Sequence, residues 1–471
     1  MNLYPYEFEG VQRLLEARKH RSGLYLADEQ GLGKTPQAVE LSNLLAPTSF
    51  AVICPASLKI NWQREFERWG IWGIVPELVN PGKLPKSKFV VLNYDIAHRV
   101  DLGFIPDLLI CDEAHALKTA DSKRSETVRD MCASVLRSKG TVLFLSGTPM
   151  PNCPIELWHQ LLCLGWVKES DYDYFVKRYC RPRIRKIKVK KNGRTFVKKL
   201  IDLKGSSNLD ELRTKLREKG IVRRRKEEGL TDLPPKTYQV IELPRRKMWR
   251  SNLLNEAMGC SAPHDSRSQV KYFSDLVAVA RRTGDLKKLT DSLAEARRLD
   301  GIEKVPQVIE LVEESLQDPT HKIVLMCYHR EVWKALMDGF KDYSPVGICG
   351  DTALSARQGA VDKFQSDPQC QVFVGQIYAA GTGITLTAAS HVLFCELDWV
   401  PGAMEQAADR CHRIGQKDNV LVQYAVFEDS TDQKVADALI RKQKTLSAVF
   451  DGEVRSASQD MSSIDPLEVF K

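Results

Sequence analysis

Short apolar runs alternate with amphipathic segments in two separate parts of this chain. In the first part the runs lie at 24–27, 50–54, 89–93, 108–111 and 141–145. In the second part they lie at 323–327, 346–349, 372–375, 392–395 and 421–427. Segments with a helical period stand between or before them, among them 57–69 and 302–316. Because strands that alternate with helices form parallel sheets with both faces covered, the pattern predicts an α/β fold with two doubly wound lobes.

The remaining segments complete the predicted organisation. Residues 2–22 have a helical pattern, with Phe8, Val11, Leu14 and Leu15 on one side. Prolines within 233–236 interrupt the pattern, and a helix-rich stretch follows to about 299, either a protrusion between the lobes or a plain helical linker. The expected parts are a first lobe at 1–170, an insertion that completes it at 171–232, a helical part at 233–300, a second lobe at 301–450 and a polar tail at 451–471.

A glycine-rich stretch, ADEQGLGKT, links the first apolar run to a helical segment. Gly31 and Gly33 have no Cβ, so backbone N–H groups of the loop can turn toward anionic oxygens at the positive end of the following helix. Lys34 would supply charge for the β- and γ-phosphates, and Thr35 a hydroxyl for Mg²⁺. Asp28 stands at the first glycine position of GxxxxGK[ST], which favours the GxGKT variant of helicase-like motors. A plain glycine-rich β-to-α turn is the alternative.

A second motif, LLICDEAH, runs an apolar strand directly into the carboxylates of Asp112 and Glu113. The carboxyl ends of neighbouring parallel strands meet at one edge of a sheet, where ligands bind. Asp112 would hold Mg²⁺ through its water shell, and Glu113 would orient and deprotonate the attacking water. Acidic residues also cap ordinary helices, but the pairing of GKT with DEAH indicates binding and hydrolysis of a nucleoside triphosphate.

Length and composition define the class of protein. At 471 residues the chain is long enough for two or three domains. No charge-free apolar run is long enough to span a bilayer, and MNLYPYEFEG lacks the basic-then-apolar pattern of a signal peptide. The 12 cysteines form no CxxC pair or Cys/His cluster, which indicates reduced core residues and no structural zinc. We therefore expect a soluble, unexported protein without a membrane segment.

Positive charge is concentrated in one region of the chain. The formal net charge is +8, but residues 181–250 contain 24 Lys and Arg against 8 Asp and Glu. That local charge of +16 leaves about −8 for the rest of the chain. Charge runs are often solvated faces, but this density favours a nucleic acid as partner.

Residues 181–199 carry ten basic residues and no acidic residue around an Asn-Gly dipeptide, which is a strong hairpin signal. Pairing outward from that turn places Val189 and Phe196 on one face. The basic residues on the opposite face are then Lys186, Lys188, Lys190 and Lys199. The sequence therefore predicts a β-hairpin with a partly apolar face for docking and a cationic face for solvent or DNA.

The second lobe has no GKT of its own, and two similar lobes with one phosphate loop suggest a composite site in the cleft between them. Its candidate contribution is QAADRCHRIGQ, in which Gln406, Arg410 and Arg413 would share one face of a helix. From the residues alone, a surface salt-bridge patch that includes Asp409 is an equally good interpretation.

The motifs, taken in order, resemble those of one family. They are YPYEFEGV, LADEQGLGKT, ICPASLKINWQREFERW, LLICDEAHALK, LSGTPMPN, DLPPKT, GDTALSARQGAVDKFQ, GTGITLTAASHVLF and QAADRCHRIGQ. Their order is that of the SNF2 family of superfamily 2 motors, and the resemblance covers the chain from about Leu3 to about Leu446. FVKRYC at 175–180 and GSSNLDELRTKL at 205–216 look most like the fork-remodelling, annealing-helicase branch.

The resemblance implies two RecA-like lobes, with ATP and Mg²⁺ bound by the first and translocation on duplex or branched DNA without obligatory unwinding. It also implies that Arg410 and Arg413 are arginine fingers that stabilise charge on the γ-phosphoryl oxygens. Positions that match the ATP-binding residues are Glu7, Gly31, Leu32, Gly33, Lys34 and Thr35. Positions that match residues coupling the nucleotide to the strand are His115, Ser146, Thr148 and Gln406. Positions that match contacts to the tracked backbone are Pro55, Lys59, Thr382 and Thr385.

Two positions depart from the family pattern. Glu7 replaces the usual glutamine after Pro-Tyr, and the WNP-like element reads Trp399-Val400-Pro401. An ionised carboxylate can only accept hydrogen bonds, so Glu7 should weaken the preference for ATP over GTP. The sequence has no recognisable chromatin-reader module, which favours a monomeric bacterial or phage protein that acts in the cytoplasm of the cell or infected host. An ATP-gated DNA clamp without productive cycling and an RNA-directed helicase are the alternatives.

Overall fold

The computed structural model describes residues 3–20, 22–118, 122–150, 153–191, 194–203, 205–230, 233–244, 287–381, 383–428, 430, 432–433 and 435–436. The side chains of 185–200, 227, 287–290, 292–293 and 354–355 lie outside this part. The chain divides into two compact units. The first is built mainly from Met1–Arg183 and Asp202–Asp232, and the second from Ile184–Ile201 and Leu233–Thr445.

A seven-stranded parallel sheet forms the centre of the first unit. Its strands are β1 Leu24–Leu26, β2 Phe50–Cys54, β3 Glu77–Leu78, β4 Phe89–Asn93, β5 Leu108–Asp112, β6 Thr141–Leu145 and β9 Ile221–Val222, in the order β3-β4-β2-β5-β6-β1-β9. Residues of β2, β5 and β6 are fully buried because helices cover both faces of the sheet. The predicted doubly wound lobe is therefore confirmed.

The helices of the first unit lie on both faces of this sheet. They are α1 Pro5–Ala17, α2 Lys34–Leu45, α3 Lys59–Trp69, α4 Tyr94–Ala97, α5 Lys123–Arg137, α6 Ile155–Cys163, α7 Tyr172–Tyr179, α8 Leu209–Glu218 and α9 Lys226–Gly229. In α1 the predicted apolar face is partly wrong, because Phe8 is exposed whereas Glu7 and Gly10 are buried with Val11 and Leu14. The buried face is rotated because α1 packs its polar residues against the phosphate loop.

The second unit contains a six-stranded parallel sheet. Its strands are β10 Lys236–Leu243, β11 Ile323–Cys327, β12 Val346–Ile348, β13 Val372–Gln376, β14 His391–Phe394 and β15 Val420–Phe427, in the order β10-β15-β14-β11-β13-β12. Its helices are α10 Lys287–Ser315, α11 Arg330–Gly339, α12 Leu354–Ser366, α13 Ile377–Ala380 and α14 Pro401–Ala408. This second parallel sheet confirms the predicted second lobe.

One element of the second sheet was not predicted. The stretch at 236–243 was expected within the helical part, but it forms β10 and pairs in parallel with β15 over its whole length. Thr237, Tyr238, Val240 and Ile241 are β-branched or aromatic, and such residues favour a pleated surface. The prolines that precede this stretch therefore introduce an edge strand. Residues 245–286, where the helical protrusion was predicted, lie outside the described part.

The predicted basic hairpin is present as two strands, β7 Arg183–Lys191 and β8 Arg194–Asp202, which form a sheet of their own. The Asn192-Gly193 turn lies outside the described residues, as do the side chains of Lys186, Lys188, Lys190 and Lys199. The two predicted faces of the hairpin therefore stay a prediction.

Two further observations concern membrane-spanning helices and the cysteines. In the part of the chain that the structure describes, none of the helices is long and apolar enough to cross a membrane. Eleven cysteines are free and buried within the same part, as expected for core residues.

Candidate nucleotide site

The phosphate loop owes its shape to two left-handed glycines between β1 and α2. Gly31 has φ of 90° and Gly33 has φ of 64°, and α2 begins at Lys34. A Cβ at Gly33 would collide with the carboxylate of Glu7. Glycine is therefore required at Gly33 both for its backbone conformation and for the close approach of α1. The arrangement presents the N-terminus of a twelve-residue helix to an anion.

Asp28, at the first glycine position of the motif, is a fully buried anchor of the loop. Its Oδ1 accepts from the backbone N–H of Arg224 at 2.9 Å and from Nε of the same residue at 3.1 Å. Its Oδ2 pairs with Arg224 Nη2 and accepts from Gln37 Nε2 at 3.0 Å. Gln37 also accepts from Arg224, which closes a three-residue network around the loop. Asp28, which stands in place of the consensus glycine, thus links the loop to the segment after β9 through Arg224.

Lys34 lies at the mouth of the loop. Its Nζ donates to the backbone carbonyls of Asp28 at 2.8 Å and Glu29 at 3.1 Å. The loop after β6 approaches from the other side, since a Cβ at Gly147 would lie 3.3 Å from Lys34 Nζ. The ammonium group is therefore held where the loops after β1 and β6 meet.

Asp112 ends β5 and is fixed from three directions. Its Oδ2 accepts from Trp62 Nε1 at 2.9 Å, and its Oδ1 accepts from the N–H of Glu113 at 2.9 Å. Its own carbonyl accepts from Tyr94 Oη at 2.8 Å. Burial, with the adjacent charge of Glu113, raises the pKa of Asp112 to about 6, against the opposing effects of Trp62 and Lys34. The carboxylate is still mostly ionised at neutral pH and can serve a hydrated cation.

Glu113 has a left-handed backbone, with φ of 50° and ψ of 50°. Such a conformation is costly for a residue with a Cβ. Glu113 Oε2 lies 3.3 Å from His115 Nδ1, and the same nitrogen lies 3.1 Å from Ser146 Oγ. Ser146 Oγ in turn accepts from the N–H of Thr148 at 3.2 Å. The predicted base and the three first-lobe coupling residues thus form one continuous chain of contacts.

Glu7 is 3% exposed and lies beside the loop. Its Oε2 accepts from the N–H of Tyr4 at 2.9 Å, which caps α1, and its Oε1 faces Gly33. Burial raises the pKa of Glu7 to about 7, while the Tyr4 N–H and Arg224 act in the opposite direction. The expectation of a fully ionised carboxylate therefore needs refinement, because near neutral pH both protonation states are populated.

In the second unit, the helix that was predicted to carry Gln406, Arg410 and Arg413 on one face is shorter than expected. It ends at Ala408, and tighter turns follow: the N–H of Arg410 donates to the carbonyl of Ala407 at 3.2 Å. Both arginines nevertheless hold their side chains in the same way. Arg410 Nε donates to the carbonyl of Gln406 and Arg413 Nε to that of Asp409, each at 3.1 Å.

The end of this helix is fixed by the DLPPKT segment. Lys236 pairs with Glu405 and with Asp409 Oδ1, the latter at 2.7 Å. Burial would lower the pKa of Lys236, but Asp409 and Glu405 raise it well above its usual value. The carbonyl of Pro234 lies 2.7 Å from His412 Nε2. The segment therefore holds the turn that carries both arginines.

The other predicted residues are placed as follows. Lys59 donates to the carbonyl of Val79 at 2.8 Å, and Pro55 precedes it after β2. Thr385 Oγ1 accepts from Arg413 Nη1 at 3.2 Å. Leu32 is fully buried and Thr35 lies in the first turn of α2, whereas Thr382 lies outside the described residues.

The residues around these groups fit a hydrated Mg²⁺ and a nucleoside triphosphate. A glycine cradle lies at the N-terminus of α2, which carries Thr35, and the buried carboxylate of Asp112 lies at the carboxyl end of β5 in the same parallel sheet. No group of three or more His, Cys, Asp or Glu suited to a metal exists within the described ranges. The carboxylate of Asp112 and the hydroxyl of Thr35 suit Mg²⁺, which usually keeps several waters and takes few protein ligands.

Comparison with protein families identifies the chain. A family model described as the SNF2-related domain matches residues 6–271, and one described as the helicase conserved C-terminal domain matches 303–415. The chain belongs to the SNF2-related family. The first match covers more than half of the sequence, and the second covers most of the second sheet.

Relatives of this SNF2-related chain include proteins that share its whole length. A mouse protein named DNA annealing helicase and endonuclease ZRANB3 is 29% identical over 97% of the chain, and the chain spans 42% of it. The Caenorhabditis elegans homologue of SWI/SNF-related matrix-associated actin-dependent regulator of chromatin subfamily A-like protein 1 is 28% identical over 99% of the chain, which spans 64% of it. The chain is thus much shorter than these relatives, and the predicted branch of the family is confirmed.

A solved structure is also similar. It is titled Sulfolobus solfataricus SWI2/SNF2 ATPase core in complex with dsDNA, and it is 21% identical with a TM-score of 0.43, covering 96% of this chain and 94% of that one.

Proposed function

We propose that this SNF2-related chain is an ATP-dependent DNA translocase that hydrolyses ATP and moves along duplex or branched DNA. The observation that carries the proposal is the convergence of Lys34, Asp112 and Glu113 at the carboxyl edge of one parallel sheet. Glu113 further contacts Ser146 through His115. This connection gives the hydrolytic site a route to the rest of the lobe.

The chemistry follows from these side chains. The N–H groups of the loop and Lys34 would bind the β- and γ-phosphates, while Thr35 and Asp112 would hold Mg²⁺. When bound, the ion neutralises charge that develops on the phosphoryl oxygens. Glu113 would accept the proton of the attacking water, and its carboxylate lies 3.3 Å from His115 Nδ1.

We further propose that Arg410 and Arg413 of the second unit complete the site when ATP closes the two lobes. The guanidinium groups would stabilise the γ-phosphoryl group, an effect worth about 10³ to 10⁵ in rate in related chemistry. Hydrolysis would remove that contact and let the lobes separate. A DNA strand held by both lobes, through Pro55, Lys59, Thr382 and Thr385, would be moved by this cycle.

The relatives support DNA as the polyanion, since one is named a DNA annealing helicase. The dense positive charge of residues 181–250 also fits a phosphate backbone. We propose that the chain acts as a monomer in the cytoplasm of a bacterial cell or phage-infected host.

Steady-state hydrolysis of ATP with different activators tests the proposal. We expect strong stimulation by duplex or forked DNA, weaker stimulation by single-stranded DNA and little by RNA, with Glu113→Gln as the inactive control. If RNA stimulates best, the substrate is an RNA. Without stimulation by any nucleic acid, the chain is an ATP-gated clamp and the proposal is wrong.

A further inference from the structure

A cavity of about 650 Å³ lies beside the edge strand of the first sheet, outside the phosphate loop. We refer to it as the arginine cavity. It is bounded by α1, by β9 and the residues after it, and by α8. Its volume falls within the range of small-molecule sites. None of Gly31, Lys34, Thr35, Asp112 and Glu113 lines it.

Positive charge dominates the walls of the arginine cavity. Six arginines line it against two glutamates, Glu9 and Glu228. The arginines are Arg13, Arg213, Arg217, Arg223, Arg224 and Arg225. Ion pairs with Glu9 and Asp210 involve exposed carboxylates at the rim, where pairing contributes little. The walls therefore keep a net positive charge that favours an anion.

Two buried polar atoms on the walls lack a hydrogen-bond partner among the described residues. They are the hydroxyl of Tyr6 and Nη1 of Arg224. The Arg224 side chain is 7% exposed and stacks over the Tyr6 ring at 5.3 Å. A buried donor without a partner costs free energy, and both atoms belong to side chains that line the cavity, so an oxygen-rich ligand that reaches them would relieve that cost.

We propose that the arginine cavity is a second anion site, which binds a small, multiply charged phosphate such as inorganic phosphate, pyrophosphate or the phosphates of a nucleotide. Guanidinium groups match phosphate geometry with paired N–H donors. Of the positions matched to tracked DNA, Pro55 and Lys59 follow β2, which lies four strands from β9, roughly 19 Å away at the usual strand spacing. The cavity is therefore separate from these two positions as well as from the residues of the phosphate loop.

The site is connected to the nucleotide loops through Arg223. Its Nη1 donates to the carbonyl of Ala27 at 2.7 Å and to that of Gly147 at 3.2 Å. Arg224 is also the partner of Asp28. A phosphate held here would contact the side chains that position the loops after β1 and β6.

Calorimetric titration of the full chain with pyrophosphate tests the inference. Lys34→Ala removes a phosphate contact of the first site, so binding to the arginine cavity should persist in that variant. Adding Arg13→Gln and Arg217→Gln should weaken it by about tenfold or more, since each arginine makes a charge-assisted hydrogen bond. Arg137→Gln is the matched control, because Arg137 lies exposed at the end of α5 and outside the cavity.

Tyr6→Phe provides a second test that leaves packing intact, because it removes only the unpartnered hydroxyl. We expect it to weaken pyrophosphate binding by about threefold to tenfold. Parallel titrations with phosphate and AMP distinguish free phosphates from nucleotides. Complete loss of binding in Lys34→Ala would assign the anion to the phosphate loop. Unchanged affinity in the arginine variant, or tighter binding of an oligoglutamate peptide, would also overturn the proposal.

Discussion

The chemistry of the first unit depends on a few side chains whose ionisation is set by burial. Asp112 and Glu7 both have pKa values raised toward neutrality, to about 6 and about 7, because each carboxyl is desolvated. Their consequences differ. Asp112 is ionised at neutral pH and can hold a hydrated cation, whereas Glu7 changes its hydrogen-bonding character in the physiological range.

Lys34 and Glu113 should have separable effects. Lys34→Ala removes the positive charge that would contact the β- and γ-phosphates, so both nucleotide affinity and turnover should fall. Glu113→Gln keeps the shape but loses the base, so it should bind ATP with near-parental affinity while turnover falls by about 10² or more. Equilibrium binding of a fluorescent ATP analogue, with turnover measured in parallel, checks both. Turnover at the parental level in Glu113→Gln would contradict the assignment of the base.

Glu7 should make base selection depend on pH. A protonated carboxyl can donate to adenine N7 and accept from the N6 amine, as a glutamine amide does, but an ionised one can only accept. Since the pKa of Glu7 is raised to about 7, protonation increases as pH falls through 7. We expect the preference for ATP over GTP in kcat/KM to rise from pH 8 to pH 6.

Glu7→Gln is the control for this prediction. It should show a higher preference for ATP at pH 8 and little change with pH, since an amide does not titrate. A preference that is strict and independent of pH in the parent would mean that other residues read the base.

At the scale of elements, some features followed from sequence patterns and others did not. The strands β2, β4 and β6 could be predicted to the residue, because strands buried on both faces are continuous apolar runs. The pairing of Asp28 with Arg224 could not, since it joins positions 196 residues apart and a single sequence carries no signal for such a contact. For the same reason Trp62, Tyr94 and Lys236 were not recognised as partners of the motif residues, and β10 was mistaken for part of a helical region.

The buried network between Asp28 and Arg224 should be essential for the stability of the phosphate loop. Arg224→Met leaves a buried carboxylate without its partner, so the free energy of unfolding should fall by about 3 to 5 kcal/mol. Arg137→Met, at an exposed position, should change it by less than about 0.5 kcal/mol. Urea denaturation followed by circular dichroism measures both. A loss below about 1 kcal/mol for Arg224→Met would contradict the anchoring role.

The hairpin formed by β7 and β8 should contact duplex DNA without taking part in hydrolysis. Changing Lys186, Lys188, Lys190 and Lys199 to Gln should weaken binding of all sequences alike. It should also reduce the slope of log affinity against log salt by about 0.9 for each phosphate that a lysine no longer neutralises. ATP hydrolysis without DNA should persist, whereas half-maximal stimulation should need more DNA.

A matched variant removes the same charge from exposed lysines of the first unit, outside the hairpin. Its substitutions, all to Gln, are at Lys19, Lys139, Lys168 and Lys219. It should leave the salt slope unchanged. If both variants change the slope equally, general charge rather than the hairpin accounts for the effect, and loss of DNA-free hydrolysis would make the hairpin part of the structure of the lobe.

At the scale of the whole molecule, the two parallel sheets carry different parts of the predicted site. The first carries the phosphate loop, Asp112 and Glu113, and the second carries a turn with Arg410 and Arg413 that Lys236 holds in place. Under the proposed function each unit would contribute part of the catalytic set, so we expect ATP turnover to require residues of both units.

Displacement of a third strand from a duplex tests ATP-driven translocation most directly, because the triplex is disrupted only when a motor reaches it along the duplex. We predict that the parent chain displaces the strand with ATP and not with a non-hydrolysable analogue. Arg410→Ala and Arg413→Ala should still bind nucleotide but fail to displace the third strand, since the proposed role of these arginines is to stabilise the γ-phosphoryl group during hydrolysis. Duplex-stimulated ATP turnover with the triplex left intact would contradict the account, because ATP hydrolysis would then proceed without movement along the duplex.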